Sequence, residues 1–236
     1  MLFRQFFDTE SSTYTYLIAS APGREAVLID PVKPCMEQYL RVIRELDLRL
    51  VTAIDTHTHA DHITALGGLR ERTQCVTVMG EFTRAECVSR HVHDGERMDI
   101  DGITLEALYT PGHTDESFSF LLDSPGAPRA VFTGDVLLIR GTGRTDFQGG
   151  DPGRSHDSIT GRLFPLGDHT LVYPAHDYKG WTVSTIGEER LHNPRLAGKT
   201  REQYIEIMNG LQLPDPRLMD VAVPANLACG EERSIP

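Results

Sequence analysis

The sequence of 236 residues is 39% hydrophobic and 24% charged, which is ordinary for a soluble globular protein and allows a substantial core. Its formal net charge of −11 disfavours a nucleic-acid partner, because a negative field repels phosphate backbones. No run of 18 apolar residues occurs, so we expect no transmembrane helix and no membrane partner.

The N-terminal segment, residues 1–8, lacks the basic start, the apolar centre and the small-residue cleavage site of a signal peptide. It also lacks the Arg- and Ser-rich character of a transit peptide. The four cysteines show no C-x-x-C or zinc-finger spacing, and we expect free, mostly buried thiols at Cys35, Cys75, Cys87 and Cys229. These observations favour a cytoplasmic protein in a reducing compartment.

Short apolar runs bounded by Gly, Pro and Asp predict a chain rich in strands, two of them within residues 3–30. In chain order, we predict strands at residues 13–18, 26–30, 50–54, 75–79, 103–109, 117–122, 130–133 and 170–173. We predict helices at residues 36–46, 83–87, 155–163 and 201–208, with Pro-punctuated coil after the last. Residues 63–69 also predict the start of a helix, although two glycines weaken the pattern. A Gly-rich, charged loop at residues 139–150 has the length of a functional loop.

Residues 57–62 are the most informative stretch, because they place three histidines and one aspartate in six positions directly after a predicted strand. In extended backbone, residues two apart point the same way, so His57 and His59 can face one point. Neutral imidazoles there can bind a transition metal, and Asp61 can add an oxygen ligand or orient a neighbour.

Three more polar residues follow predicted strands: His113 in Pro-Gly-His-Thr, Asp135 in Thr-Gly-Asp, and His176 in Pro-Ala-His-Asp. Each residue alone is weak evidence for a metal site, because a histidine or a Gly-Asp pair after a strand is common in ordinary turns. Together with residues 57–62 they repeat the same placement at four strand ends. The repetition predicts a metal site at one edge of the sheet system.

These motifs resemble those of the metallo-β-lactamase superfamily, over roughly residues 12–180. The resemblance implies an α+β protein with the metallo-β-lactamase fold, a four-layer αββα sandwich that holds metal at one edge of its paired sheets. We expect a single such domain over residues 1–236, with a short C-terminal helix and coil extension from about residue 190.

The loop after Asp135, residues 134–147, and the segment 173–185 resemble the persulfide dioxygenase family within that superfamily. The later pieces 188–190, 193–195 and 223–226 continue the resemblance. It implies an enzyme that oxidises glutathione persulfide with O₂ to sulfite, releasing glutathione. It also implies a homodimer.

Carried over by motif, the resemblance implies one Fe(II) per chain, held by His57, His113 and Asp135. Two imidazoles and one carboxylate form a facial set that leaves three positions open for O₂ and substrate. A redox-active metal suits O₂ chemistry, whereas zinc cannot change valence.

The remaining polar residues of the motifs resemble a vacant second metal site that orients the iron ligands by hydrogen bonds. They are His59, Asp61, His62 and His176. The same residues help to hold a second metal in hydrolytic relatives, and the residues alone leave both arrangements open.

Arg144 and Tyr178 resemble the positions with which the family contacts glutathione, whose carboxylates suit a guanidinium. Arg140 and Arg195 are further candidates, and the alternative for each is an intramolecular salt bridge or exposure to solvent. Position 142 is threonine, so a cysteine-based persulfide relay is not expected in this loop.

Two other functions are consistent with parts of the pattern. A hydroxyacylglutathione-type thioester hydrolase would use two metals to activate a bridging hydroxide. The loop after Asp135 does not resemble that family, and a tail of roughly 50 residues is short for its glutathione-binding domain. A non-catalytic metal-binding sulfur sensor or partner module is the alternative of another class, and the intact ligand set argues against it.

Overall fold

The computed structural model describes residues 1–214 and 218–230. These residues form two six-stranded sheets and six α-helices, which confirms the α+β class. The chain divides into two compact units, the first comprising Met1–Val92, Met98–Thr104 and the described residues after 214, and the second comprising His93–Arg97 and Leu105–Pro214. The predicted single domain over residues 1–236 stays a prediction. No described helix has the length and apolar character needed to cross a bilayer.

The first sheet has its strands in chain order: β1 (Leu2–Asp8), β2 (Thr13–Ala19), β3 (Glu25–Ile29), β4 (Arg49–Ile54), β5 (Val76–Gly80) and β6 (Arg90–Val92). Its first three strands are antiparallel, and β3 to β6 run parallel. The helices of this unit are α1 (Met36–Glu45), α2 (Leu66–Thr73) and α6 (Met219–Asn226). Every residue of β2, which pairs with β1 and β3, is buried.

Helices α1 and α2 cover this sheet through apolar residues at helical spacing. Tyr39, Leu40 and Ile43 form the buried stripe of α1 and join the core of the unit. At Gly68 of α2, a Cβ atom would lie 2.8 Å from Sδ of Met36, so the glycine leaves room for this flexible side chain.

The second sheet has the order β12, β11, β10, β9, β8, β7. Its strands are β7 (Arg97–Ile100), β8 (Ile103–Tyr109), β9 (Phe118–Leu122), β10 (Ala130–Gly134), β11 (Leu171–Pro174) and β12 (Ser184–Thr185). The helices are α3 (Pro152–Ser158), α4 (Ile186–His192) and α5 (Arg201–Asn209). Strands β10 and β11 run parallel, so their carboxyl ends meet at one edge.

Several predicted elements needed correction. Residues 3–30 contain three strands rather than two, because β1 pairs with β2 as an additional edge strand. Residues 83–87 form no helix, since five residues are too few to offset the cost of helix nucleation without further support. Strands β6, β7 and β12 and helix α4 were not predicted, because two to seven residues carry too little periodicity.

The coil predicted after residue 208 is wrong where α6 forms, because the helix continues through Pro224. Part of that predicted coil falls on residues 215–217 and 231–236, which lie outside the described residues. The helices predicted at 155–163 and 201–208 correspond to α3 with the π-helical turn that follows it, Ile159–Leu163, and to α5.

The prediction of free thiols is wrong for two of the four cysteines. Cys87 and Cys229 form a disulfide, whereas Cys35 and Cys75 are free. The pair is separated by 142 residues in the sequence. No local spacing signal could therefore reveal it.

Candidate active site

In the first unit, the segment 55–60 that follows β4 is buried although most of its residues are polar. His57 and His59 are 2% and 0% exposed, and their ring centroids lie 4.2 Å apart. Burial of polar side chains requires hydrogen-bonding partners. The neighbouring parallel strand β3 supplies one, because it ends beside β4 and is followed by the buried Asp30.

Asp30, Thr56 and His57 form a chain of hydrogen bonds. The Asp30 carboxylate accepts from the Thr56 backbone N–H at 2.8 Å and from the Thr56 hydroxyl at 3.1 Å. Oγ1 of Thr56 lies 3.0 Å from Nδ1 of His57. Since the single hydroxyl proton goes to Asp30, Thr56 accepts from Nδ1–H of His57, and Nε2 keeps the lone pair that a metal needs.

The charge of Asp30 is set by opposing effects. Burial raises the pKa of the carboxyl group, while His57 and the hydrogen bonds from Thr56 favour its ionised form, and the net pKa is raised. Nε2 of His59 also lies 3.2 Å from Oδ1 of Asp30. The carboxylate therefore anchors two histidines of the predicted metal motif.

The other predicted residues of this unit form a compact donor group. His59, Asp61 and His62 each offer a ligand atom, and these atoms lie within 4.8 Å of one another. Nδ1 of His62 is 3.1 Å from Oδ2 of Asp61. The structure thus brings together three of the four residues predicted for the second site, and imidazole with carboxylate is a donor set that suits a divalent transition metal.

In the second unit, His113, Asp135 and His176 follow β8, β10 and β11, as predicted from the strand ends. Nδ1 of His176 lies 2.7 Å from Oδ1 of Asp135, which follows from the parallel pairing of β10 with β11. Nε2 of His113 lies 3.6 Å from Oδ2 of the same carboxylate. An ion about 2 Å from each of these two atoms can bind both.

The loop after Asp135 fixes the orientation of His113. Nδ1 of His113 donates to the carbonyl oxygen of Arg144 at 2.7 Å, since a carbonyl can only accept, and Nε2 keeps its lone pair. The N–H of Gly143 donates to the carbonyl oxygen of Asp135 at 2.7 Å. A Cβ atom at Gly143 would overlap that oxygen and lie 2.8 Å from Nδ1 of His113, so only glycine allows this approach.

The side chain of Arg144, a predicted glutathione contact, lies within the same loop. Its guanidinium donates to both carboxylate oxygens of Asp146, at 2.6 and 2.7 Å, and lies 4.8 Å from the ring centroid of Phe147. The hydrogen bonds from Arg144 lower the pKa of Asp146. Tyr178 is 71% exposed and stacks on His176 at a centroid distance of 5.9 Å.

The other two predicted substrate contacts have protein partners. Arg140 forms ion pairs with Glu188 and with the fully buried Glu189. Arg195 donates from Nη1 to the carbonyl oxygen of Thr142 at 2.6 Å, and burial lowers its pKa. Contact of either arginine with substrate stays a prediction.

The residues that orient the predicted ligands were not predicted from the sequence. Asp30 is the last residue of the strand predicted at residues 26–30, so the strand-end signal that identified Asp135 applied to it as well. Thr56 and Gly143 carried no such signal, because their roles depend on the backbone path of the loops.

The model of the metallo-β-lactamase superfamily matches residues 8–176. Human persulfide dioxygenase ETHE1, mitochondrial, is 45% identical over 231 residues, which cover 98% of this chain and 89% of that protein. This chain belongs to the persulfide dioxygenase family. The crystal structure of ETHE1 from Myxococcus xanthus has a TM-score of 0.93 and 55% identity, covering 98% of this chain and all of that one.

A metallo-β-lactamase from Staphylococcus aureus is a more distant structural relative of this persulfide dioxygenase family member. It has a TM-score of 0.88 and 26% identity, covering 97% of this chain and 73% of that one. The predicted metallo-β-lactamase fold and family are thereby confirmed.

Proposed function

We propose that this protein is a persulfide dioxygenase that oxidises glutathione persulfide with O₂ to sulfite and glutathione. The observation that carries the proposal is the similarity to persulfide dioxygenases over 98% of the chain. Membership of the superfamily does not identify the reaction, because proteins with this fold catalyse many different reactions.

We propose one Fe(II) per chain, with His57, His113 and Asp135 as its ligands. The donor set fits, because two imidazoles and a carboxylate are the usual ligands of non-haem iron oxygenases. The described residues fit as well, since both histidines keep the Nε2 lone pair while Nδ1 is hydrogen-bonded. The iron would supply the redox chemistry that O₂ requires.

Neighbouring residues orient each proposed ligand within its own unit. Thr56 and the carbonyl of Arg144 orient the two imidazoles, and His176 donates to Oδ1 of Asp135. Oδ2 of Asp135, 3.6 Å from Nε2 of His113, would then be the carboxylate oxygen that binds the metal. The bond from His176 supports our prediction that this residue orients a ligand. That His59, Asp61 and His62 do so beside a vacant second metal site stays a prediction.

For the substrate, we propose Arg144 and Tyr178 as contacts with glutathione. The backbone carbonyl of Arg144 holds the proposed ligand His113, and Tyr178, which is 71% exposed, stacks on His176. Arg144 thus belongs to the loop that orients a proposed ligand, and Tyr178 stacks on the residue that donates to Asp135. A homodimer and a cytoplasmic location stay predictions.

The comparisons support a dioxygenase over the two other candidate functions. The similarity extends beyond the superfamily match, which ends at residue 176, through the C-terminal segment. A thioester hydrolase and a non-catalytic sensor would each leave the long similarity to persulfide dioxygenases unexplained.

The first test is metal content and O₂ uptake on glutathione persulfide, measured on the same preparation. We expect about one iron per chain, as the mononuclear donor set implies, and O₂ consumption that matches sulfite formation. About two metals per chain, no O₂ uptake and turnover of S-lactoylglutathione would replace the proposal with the hydrolase.

A further inference from the structure

Asn226 is a buried polar residue at the end of α6, far in sequence from the histidine motif. It is 3% exposed, and its amide makes three hydrogen bonds to residues 59–64. Nδ2 donates to the carbonyl oxygens of His59 and His62, both at 2.8 Å, and Oδ1 accepts from the N–H of Thr64 at 2.9 Å. Both amide protons and the amide oxygen are thus used.

These three bonds act on backbone rather than side chains. Residues 59–62 have no regular secondary structure, so no ladder of hydrogen bonds fixes their peptide planes. One planar amide that ties the peptide groups of His59, His62 and Thr64 fixes the path of this loop. The path of the backbone in turn sets the directions of the His59 and His62 imidazoles.

Neighbouring contacts hold the segment that carries Asn226 against the same loop. The carbonyl oxygen of Cys229 accepts from the N–H of Gly67 at 2.9 Å, and that of Gly230 accepts from Nζ of Lys33 at 2.7 Å. The disulfide from Cys229 to Cys87 anchors the segment to the rest of the first unit. Any Cβ atom at Gly230 would overlap the carbonyl oxygen of Thr64, so the two backbones are closely packed.

We propose that Asn226 is a positioning residue for the loop 57–62, acting through the carbonyl oxygens of His59 and His62. This loop carries the proposed iron ligand His57, and His59 shares the Asp30 carboxylate with Thr56, which holds His57. The inference rests on the metal site of the proposed function but not on its persulfide chemistry. Residues that orient metal ligands from outside the coordination sphere change metal affinity by about 10- to 100-fold when they are replaced. A loss in this range is expected for Asn226.

The test uses Asn226→Ala and Asn226→Asp in the full-length protein. The aspartate keeps an oxygen that can accept from the N–H of Thr64 but has no proton for the carbonyl oxygens of His59 and His62. We expect both variants to release Fe(II) to a chelator about 10- to 100-fold faster than the wild type. The exposed Asn209 of α5 is the matched control, and Asn209→Ala and Asn209→Asp are expected to release iron at the wild-type rate.

A second readout separates positioning from general destabilisation. The absorption spectrum of the Co(II)-loaded protein reports ligand geometry, and we expect it to change in both Asn226 variants. The release rates are compared at a temperature where the metal-free proteins are all folded, as shown by circular dichroism. If Asn226→Ala does not fold, the same release rates and spectra are measured on Asn226→Ser, which is a smaller change of the side chain.

Wild-type release of Fe(II) and wild-type Co(II) spectra from folded Asn226 variants would overturn the inference. If the aspartate variant alone behaved as the wild type, the two donated hydrogen bonds would not position the loop, and the inference would also fail. A wild-type protein that bound neither Fe(II) nor Co(II) would instead overturn the metal site of the proposed function.

Discussion

At the scale of single residues, the two histidines proposed as iron ligands are oriented by the same kind of hydrogen bond. In each, Nδ1 is held by an oxygen of the adjoining loop, the Thr56 hydroxyl for His57 and the Arg144 carbonyl for His113. Fixing the tautomer and the ring plane before the metal binds avoids an ordering cost at that moment.

The hydroxyl of Thr56 can be removed with little change of shape by Thr56→Val. We expect iron to be released about 10-fold faster, since His57 loses its partner. We also expect the free energy of unfolding to fall by about 1–3 kcal/mol, because the buried Asp30 loses a hydrogen bond. Chelator capture and urea denaturation measure the two effects, with Thr104→Val in β8 as the control. Unchanged iron release would show that Thr56 does not orient His57.

The close packing of Gly143 against Asp135 and His113 can be tested by a second substitution. In Gly143→Ala, the added Cβ would force the loop away from Asp135 and His113, and we expect turnover of glutathione persulfide to fall at least 10-fold. Gly141→Ala is the matched control two residues away, because its Cβ would meet only Cβ of Leu138, at 3.8 Å. Equal activity of the two variants would contradict the positioning role of the loop.

At the scale of elements, predictions from sequence succeeded where a strand has a strong apolar pattern and a polar residue follows it. His57, His113, Asp135 and His176 were placed at strand ends in this way, and the structure puts each of them there. Side-chain partners of those residues, such as Thr56, depend on loop paths that hydrophobic periodicity does not encode.

Helix α6 and the disulfide could not be predicted from the sequence, for a different reason. Pro224 ordinarily argues against a helix, yet α6 forms around it, with Ala222 and Asn226 buried. Cys87 and Cys229 are neighbours only in three dimensions, because 142 residues separate them in the chain.

The disulfide gives a prediction at the same scale. We expect Cys229→Ser to lower the free energy of unfolding by about 2–5 kcal/mol, because the cross-link restricts a long loop in the unfolded chain. Guanidinium denaturation measures the change, with Cys35→Ser, a free and partly exposed cysteine, as the control. Equal denaturation midpoints for both variants and the wild type would show that the cross-link contributes nothing to stability.

At the scale of the whole molecule, charge dominates the expected response to pH. Arg201 lowers the pKa of Asp157 by hydrogen bonding, and Arg144 does the same for Asp146. At Asp94, burial acts to raise the pKa, but hydrogen bonds from Arg162 and from the N–H of Tyr109 lower it overall. Each of these carboxyl groups loses its proton more readily in the folded protein than in the unfolded chain.

A carboxyl group with a lowered folded-state pKa stabilises the protein above its unfolded pKa of about 4 and loses that effect as the pH falls. We therefore expect the free energy of unfolding to decrease as the pH falls from about 5 to 3, as measured by urea denaturation at several pH values. Asp94→Asn is expected to flatten this decrease. A profile for the variant that parallels the wild type would contradict the contribution of the Asp94 pair with Arg162.

The bond from Asn226 to His62 spans 164 residues of sequence, and it has a consequence for the order of events in the cell. A chain is made from its N-terminus at about 5–20 residues per second, so the histidine loop precedes its anchor by about 8–33 s. During that interval the loop exists without the amide that fixes its path. We therefore expect the proposed iron to bind tightly only to the finished chain, so that the metal is loaded after synthesis.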